Sequence, residues 1–252
     1  MAESDILSRF PKKRRPLPPE YQAIYLQHYR NSREGKSQIL GLAQRAERWM
    51  HRQVAKDVRD AAPKATLEIG AGTLNQLPYE PETAPYDIIE PFRELYETSP
   101  ALARVRHIYS DISEVPSGAN YERITSIAVL EHIENLPELV ARSALFLKDG
   151  GVLRAGIPSE GTVLWKLGWK ATTSLDFRAR YNLDYSVLMH YEHVNTAREI
   201  EAVLRHFFGD VRARVFGVAR ALSLYQFFAC STPDRERCTN YLAATSENSV
   251  PI

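Results

Sequence analysis

The chain has 252 residues, of which 44% are hydrophobic, 25% charged and 10% aromatic, a composition that excludes collagen-like, coiled-coil and wholly disordered proteins. Thirty-two Lys and Arg against 31 Asp and Glu give a net charge of +1, so no global electrostatic footprint for nucleic acid or an anionic membrane is present. The length suits one large domain or two small ones.

The N-terminus, MAESDILSRFPKKRR, lacks the apolar core and small-residue cleavage site of a signal peptide, and no later run approaches the roughly 20 apolar residues of a membrane span. A cytoplasmic location is expected. Residues 11–20, PKKRRPLPPE, combine four consecutive basic residues with four prolines and predict a solvated, flexible arm over residues 1–20; a phosphate-contacting arm or an import signal is the functional alternative. Tyr21, Tyr25 and Tyr29 form a helical stripe suited to packing. A helix fits residues 37–62, with Ile39, Leu40, Ala43, Met50, Val54, Val58 and Ala61 near one face and Pro63 at its exit.

Short apolar runs at 66–69, 86–89, 106–109, 124–129 and 151–157 read as buried strands separated by turn or helix patterns, which is the signature of a parallel α/β sheet. Asn135 and Pro137 open a helix over 135–147 that runs into a Gly-Gly pair, and Thr196 with Glu199 forms a capping box before Ile200, Val203, Leu204, Phe207 and Phe208. Residues 210–216 and 221–229 are two closing strands joined too tightly for a parallel crossover, so they should pair antiparallel. A single domain over 21–230 is expected, followed by a polar tail over 231–252 that frays. Cys230 and Cys238 are the only cysteines; they exclude a disulfide framework and lack the spacing of a zinc site.

The chemistry concentrates at Leu67-Glu68-Ile69-Gly70-Ala71-Gly72-Thr73-Leu74-Asn75, a strand entering a glycine turn and then a short helix. Glycines there let backbone approach a ligand at the carboxyl edge of the sheet. Glu90 ends the next strand, 22 positions after Glu68, where an acid suits two ribose hydroxyls, and Asp111 ends the third, where it can accept from an adenine amino group. A nicotinamide fingerprint, G-x-G-x-x-G, would need glycine at position 75, which is Asn75, so NAD is the weaker alternative.

Glu68-x-Gly70-x-Gly72, Glu90 after YDII, Asp111 in YSDI and Val129-Leu130-Glu131-His132 together resemble the motif series of class I S-adenosylmethionine (SAM) dependent methyltransferases over roughly residues 37–229. The third glycine of the family pattern is Leu74 here. The resemblance implies an α/β, Rossmann-like, doubly wound and mostly parallel seven-stranded sheet, with an antiparallel last strand and helices on both faces. It also implies SAM as cofactor and S-adenosylhomocysteine as product. Gly70 and Gly72, with Ala71 and Asn75 in the same turn, would pass the methionine part; Glu68 would brace that turn. Glu90, followed by Pro91, would hold the ribose, Asp111 and Ile112 would flank adenine, and Ala128 would offer backbone to the amino acid end. Tyr29 would contact the methionine carboxylate. The phrases AGIPSEG and HVNT look like those of bacterial methyltransferases associated with surface polysaccharide genes. Enzymes acting on base amino groups resemble D/N-P-P-Y/F after the fourth strand, whereas this chain has AVLEHIENLP, so no nucleic-acid acceptor is expected.

Methyl transfer to a hydroxyl needs a proton acceptor near the methyl group, and His132 with Glu131 after the fourth strand occupies that place. A structural hydrogen bond by His132 is the alternative. Residues 158–195 form an insertion in which Trp165, Trp169, Phe177, Tyr181, Tyr185 and Tyr191 interleave with Lys166, Lys170, Arg178 and Arg180, the composition of a lid over a phosphorylated, glycan-linked or other small acceptor, or of a satellite core. His190 and His193 in it are further base candidates; metal binding would need ligands that the sequence does not place beside them. A catalytically inactive SAM-binding partner subunit is the alternative to an enzyme, and a homo-oligomer is compatible with the sequence.

Overall fold

The computed structural model describes residues 6–22, 24–25, 41–58, 62–171 and 173–247. Seven strands form one sheet in the order β3-β2-β1-β4-β5-β7-β6. They are β1 (Thr66–Ile69), β2 (Tyr86–Ile89), β3 (His107–Tyr109), β4 (Tyr121–Ile127), β5 (Leu147–Pro158), β6 (Phe208–Ala219) and β7 (Leu222–Pro233). All neighbouring pairs from β3 to β5 are parallel, and β7 runs antiparallel to both β5 and β6, the second of these as the short connection between the last two strands demands. The chain order reverses between β1 and β4, which opens a crevice at their carboxyl ends.

Side chains alternate across β4, so Ile124 faces one layer and Arg123 the other. On the Ile124 side, α2 (Leu136–Phe146), α6 (Ala197–Phe207) and α7 (Arg235–Glu247) bury Leu139, Ala144, Val203, Phe207 and Cys238 in one core. On the Arg123 side lies α1 (Gly41–Val54), whose Ala46, Met50 and Val54 recur every four residues and are buried. A Cβ on Gly156 would stand 2.3 Å from Met50 Cγ, so glycine in β5 is what lets α1 close on the sheet. Arg123 is fully buried there, donating to Glu80 Oε2 at 2.7 Å, Asp57 Oδ1 at 3.1 Å and the Val54 carbonyl at 2.6 Å. Removing a carboxylate from such a buried network costs about 3–5 kcal/mol.

Several sequence expectations are corrected. The helix predicted over 37–62 ends at Val54 and tightens into a 3-10 turn, Ala55–Asp57, while 37–40 and 59–61 lie outside the described residues. The segment after the glycine turn contains only a 3-10 turn, Leu77–Tyr79, because Pro78 removes a backbone donor. Asn135 occupies the N-cap position of α2 but spends its amide on Glu138 Oε2 at 2.6 Å instead of accepting from the backbone. The helix ends at Phe146, before the Gly-Gly pair. The polar tail does not fray at 231: β7 continues to Pro233, and α7 buries Cys238 and packs Tyr241 edge-on against Phe207 at 5.5 Å. Cys238, Tyr241 and Leu242 suffice to anchor a polar helix where a partner face already exists.

The basic arm is not a solvated tail either. Ile6 and Leu17 are buried, and Lys12 Nζ donates to the Val194 carbonyl at 2.7 Å and pairs with Glu199 at 2.9 Å. Prolines that exclude helix and sheet leave the arm extended, able to lie along a groove and use its basic heads on carbonyls and carboxylates. The insertion forms three helices, α3 (Val163–Ala171), α4 (Thr173–Tyr181) and α5 (Tyr185–Glu192). Phe177 and Leu188 pack there with Leu17 and Tyr21 as a separate small core. Among the described residues, no helix is long and apolar enough to cross a membrane.

Candidate active site

The residues expected to hold the donor lie at three adjacent strand ends. Gly70, at φ +70°, follows β1, and a Cβ there would meet Val129 Cγ2 at 2.3 Å. The backbone of the turn therefore lies against the chain leaving β4, and Gly72, at φ +52°, continues the left-handed course. Glu90, buried at the end of β2, clamps this turn: its Oε2 accepts from Gly72 N–H at 2.7 Å and its Oε1 from Phe92 N–H at 3.0 Å. Each carboxylate oxygen keeps a second lone pair for an outside donor, as two ribose hydroxyls would require. The bracing role expected of Glu68 is thus performed by Glu90. Glu68 instead accepts from Tyr86 O–H at 2.9 Å, tying β1 to β2, and complete burial pushes its carboxyl up to about 8 even though that hydrogen bond works the other way.

Leu74, at the place of the family's third glycine, is buried and holds φ +65°, and Ala128 holds φ +53° where β4 breaks. A left-handed non-glycine residue costs of order 1–3 kcal/mol, so both bends persist because their surroundings enforce them. Ala128 N–H is fixed by the Gly156 carbonyl at 2.8 Å. Ala71 is buried under the turn, whereas Asn75 and Pro91 are exposed. Asp111, also exposed, caps a 3-10 turn by accepting from Ser113 N–H at 2.9 Å and Ser113 Oγ at 2.6 Å, which holds its carboxyl below the usual range. Ile112 beside it is buried. Tyr29 lies outside the described residues.

The second group of expected site residues is assembled from distant segments. Glu131 and His132 follow β4 on a 3-10 turn, Leu130–His132, and His193 arrives just past the end of α5. Their rings meet edge to face, with His132 and His193 centroids 4.9 Å apart, and His132 Nε2 lies 3.7 Å from Glu131 Oε1. Backbone N–H groups of Val194 and Asn195 donate to the Glu131 carbonyl at 2.9 and 3.0 Å. Buried Asn195 donates through its side chain to the carbonyls of Leu130 and Ile133 at 2.8 and 2.7 Å, stitching the two segments together. His193 Nδ1 pairs with Glu160 Oε2 at 2.9 Å, and that oxygen also accepts from Trp165 Nε1. Burial disfavours charge on both partners, but their mutual hydrogen bond and attraction outweigh it, so His193 is raised and Glu160 lowered.

His190 is not part of this cluster. It is exposed on α5 and its Nδ1 turns back to the Ser186 carbonyl at 2.6 Å, one helical turn away, whereas His193 lies past the helix end, where the chain has left helical geometry. Arg178 and Arg180 are exposed on α4, the latter 3.7 Å from Asp176. Residues that sequence reasoning missed hold the cluster from outside. Arg14 donates to the His132 carbonyl at 2.5 Å, the Tyr191 carbonyl at 3.2 Å and, through its backbone, Glu134 at 2.9 Å. Nothing in PKKRR announces such partners more than 100 residues away. Asn195 and Glu160 were visible only as parts of HVNT and AGIPSEG.

The sequence matches the family model of a methyltransferase domain over residues 41–207, about two thirds of the chain. No curated protein sequence matches it. Similar solved structures include a SAM-dependent methyltransferase from Thermotoga maritima, with 14% identity, TM-score 0.53, and coverage of 84% of this chain and 97% of that one. Another is the plantazolicin methyltransferase BpumL, with 14% identity, TM-score 0.58, and coverage of 91% and 97%. A third is the Burkholderia thailandensis 1,6-didemethyltoxoflavin-N1-methyltransferase, with 18% identity, TM-score 0.55, and coverage of 88% and 94%. At these identities the structures attest the fold. With the family model, the strand order, the glycine turn against β4 and the buried acid clamping it, NAD falls away, and the chain belongs to the methyltransferase-domain family as a class I SAM-dependent methyltransferase.

Proposed function

We propose that this protein methylates an oxygen of a small or glycan-linked acceptor, and that the acceptor loses its proton at the cluster of Glu131, His132 and His193. Bound SAM supplies a methyl on a sulfonium, and as the oxygen–methyl bond forms, the electrons of the broken carbon–sulfur bond return to sulfur. The chain's own residues then have three tasks. Glu90 and the backbone of Gly70 and Gly72 hold the donor, with the carboxylate's free lone pairs on the ribose. Ala128 and Val129 bring the end of β4 against that turn, so Glu131 and His132 stand within a few residues of the donor wall. The imidazoles and the carboxylate take the hydroxyl proton, which fixed, partly buried groups do better than water.

The observation that carries this reading is the meeting of two imidazoles and a buried carboxylate directly after β4, beside the glycine turn. Small acceptors are in keeping with the toxoflavin precursor named for one structural neighbour, although that enzyme methylates nitrogen. Trp165 and Tyr225, edge to face at 5.5 Å, offer aromatic walls next to His193 for a ring or sugar surface. Exposed Lys166, Lys170, Arg178 and Arg180 on α3 and α4 suit a phosphorylated acceptor. A screen with SAM labelled in the methyl group against hydroxyl, amine and carbon acceptors tests the reading. Label retained in a base-stable ether or in an ester supports it; label found only on nitrogen or carbon overturns it.

A further inference from the structure

We infer that Glu131, His132 and His193 form a site for a divalent transition-metal ion. The inference deepens the proposed function, and rests on it only for the ion's part in catalysis. One ligand atom from each of the three lies within 4.8 Å of the other two, a set of two imidazoles and one carboxylate. An ion held at about 2.0–2.2 Å from nitrogen and oxygen donors would need them roughly 3–3.5 Å apart, so a pair at the 4.8 Å limit would have to close by about 1.3–1.8 Å. His132 Nε2 and Glu131 Oε1, at 3.7 Å, are nearly there.

The outer hydrogen bonds argue more strongly than the proximity does. His132 Nδ1 faces the Glu192 carbonyl at 2.9 Å, and His193 Nδ1 faces Glu160 Oε2 at 2.9 Å. A carbonyl and a carboxylate only accept, so both rings must carry hydrogen on Nδ1, and each presents Nε2 as the remaining atom. That tautomer, fixed by a carboxylate or a carbonyl behind the ring, is the arrangement found behind metal-binding histidines. Glu160 is itself fixed by Trp165 Nε1, and Asn195 locks the Leu130 and Ile133 carbonyls on either side of Glu131 and His132. The donors are therefore held in place before any ion arrives.

Two imidazoles with one carboxylate suit zinc, iron, cobalt or nickel in the divalent state better than magnesium or calcium, which prefer all-oxygen sets. Three protein ligands leave a coordination position open. An acceptor hydroxyl bound there would have its pKa lowered by the ion and release its proton to water at the cluster, so with the ion bound the two imidazoles and the carboxylate would serve as ligands in place of the base role they have without it. The acceptor class that fits is one with an ionisable oxygen able to reach the ion beside the donor turn.

The test begins with chelator-treated full-length protein, titrated calorimetrically with Zn²⁺, Co²⁺ and Mg²⁺ and followed by the visible spectrum of the Co²⁺ form. One Zn²⁺ or Co²⁺ per chain should bind, with Mg²⁺ weaker by at least 100-fold, and the Co²⁺ spectrum should show nitrogen and oxygen ligation. His193→Ala and Glu131→Gln should each weaken binding at least 10-fold. Glu160→Gln should weaken it about 10-fold, the usual cost of losing an outer partner. S-adenosylhomocysteine binding to each variant, measured alongside, shows that it is folded and tests the cofactor reading separately. Absence of stoichiometric metal binding in protein that still binds S-adenosylhomocysteine overturns the metal site and leaves the methyltransferase reading standing. Metal binding that survives all three substitutions overturns the ligand assignment.

Discussion

The two halves of the site, proposed to hold the donor and the acceptor, are built by different means. The donor half uses consecutive strand ends: Glu68, Gly70, Gly72, Glu90 and Asp111 all lie on β1–β3 or one to three residues beyond them. Its parts are rigid because parallel strands fix them, and its side-chain links, Gly72 N–H to Glu90 and Tyr86 O–H to Glu68, join neighbouring strands. The acceptor half joins residues 12–14, 131–134, 160–165 and 191–195, four segments held by side-chain and carbonyl hydrogen bonds. A donor common to a whole family suits the first construction. The second permits the acceptor to change by substitution in any one of four segments.

Perturbing either half should leave the other intact. The largest effect is expected on the acceptor side: His132→Ala should lower turnover about 100-fold or more while SAM affinity, measured by calorimetry, stays within about two-fold. Loss of SAM binding in that variant would show that the two halves are not separable. On the donor side, Glu90→Ala removes the clamp on Gly72 and the ribose acceptor together, and should weaken SAM by about 1–3 kcal/mol. Unchanged affinity would mean that the ribose is held elsewhere.

Glu68 gives a test confined to the donor half's foundation. Its folded carboxyl titrates near 8 against an ordinary value of 4.5, so the folded protein holds a proton that the unfolded chain releases between those values. The contribution is therefore full below about pH 4.5 and is lost as pH rises toward 8, with a slope of roughly 1 kcal/mol per pH unit. Glu68→Gln, which stays neutral, should flatten that part of the stability profile in thermal melts across pH; an unchanged slope would place the titration elsewhere. The smallest effect is expected from Arg14→Ala. Removing an exposed fork on the His132 and Tyr191 carbonyls should raise acceptor KM or lower kcat by about 3- to 10-fold, with SAM affinity unaffected. If instead only Tm falls, the arm merely staples the fold.

Legibility followed the same division. Strand ends with Gly70, Gly72, Glu90 and Asp111 could be found because period, turn chemistry and a 22-residue spacing are local properties of sequence. The capping box at Thr196 and Glu199 was readable for the same reason, and both of its reciprocal bonds are present. Composition misjudged the arm and the C-terminal segment, because Lys12, Arg14 and Cys238 gain partners only from surfaces that other segments create.

By itself, then, the sequence determined the alternation of strands and helices, the glycine turn and the acids at successive strand ends, since each depends on neighbours within a few residues. Tertiary structure alone decided that Arg123 is satisfied in the core, that Leu74 is forced into a left-handed bend, that His193 and not His190 joins His132, and that the basic arm straps the acceptor side. Each of these rests on contacts between segments tens of residues or more apart, whose closeness is set by the packing of the whole sheet and its helices and by no local pattern.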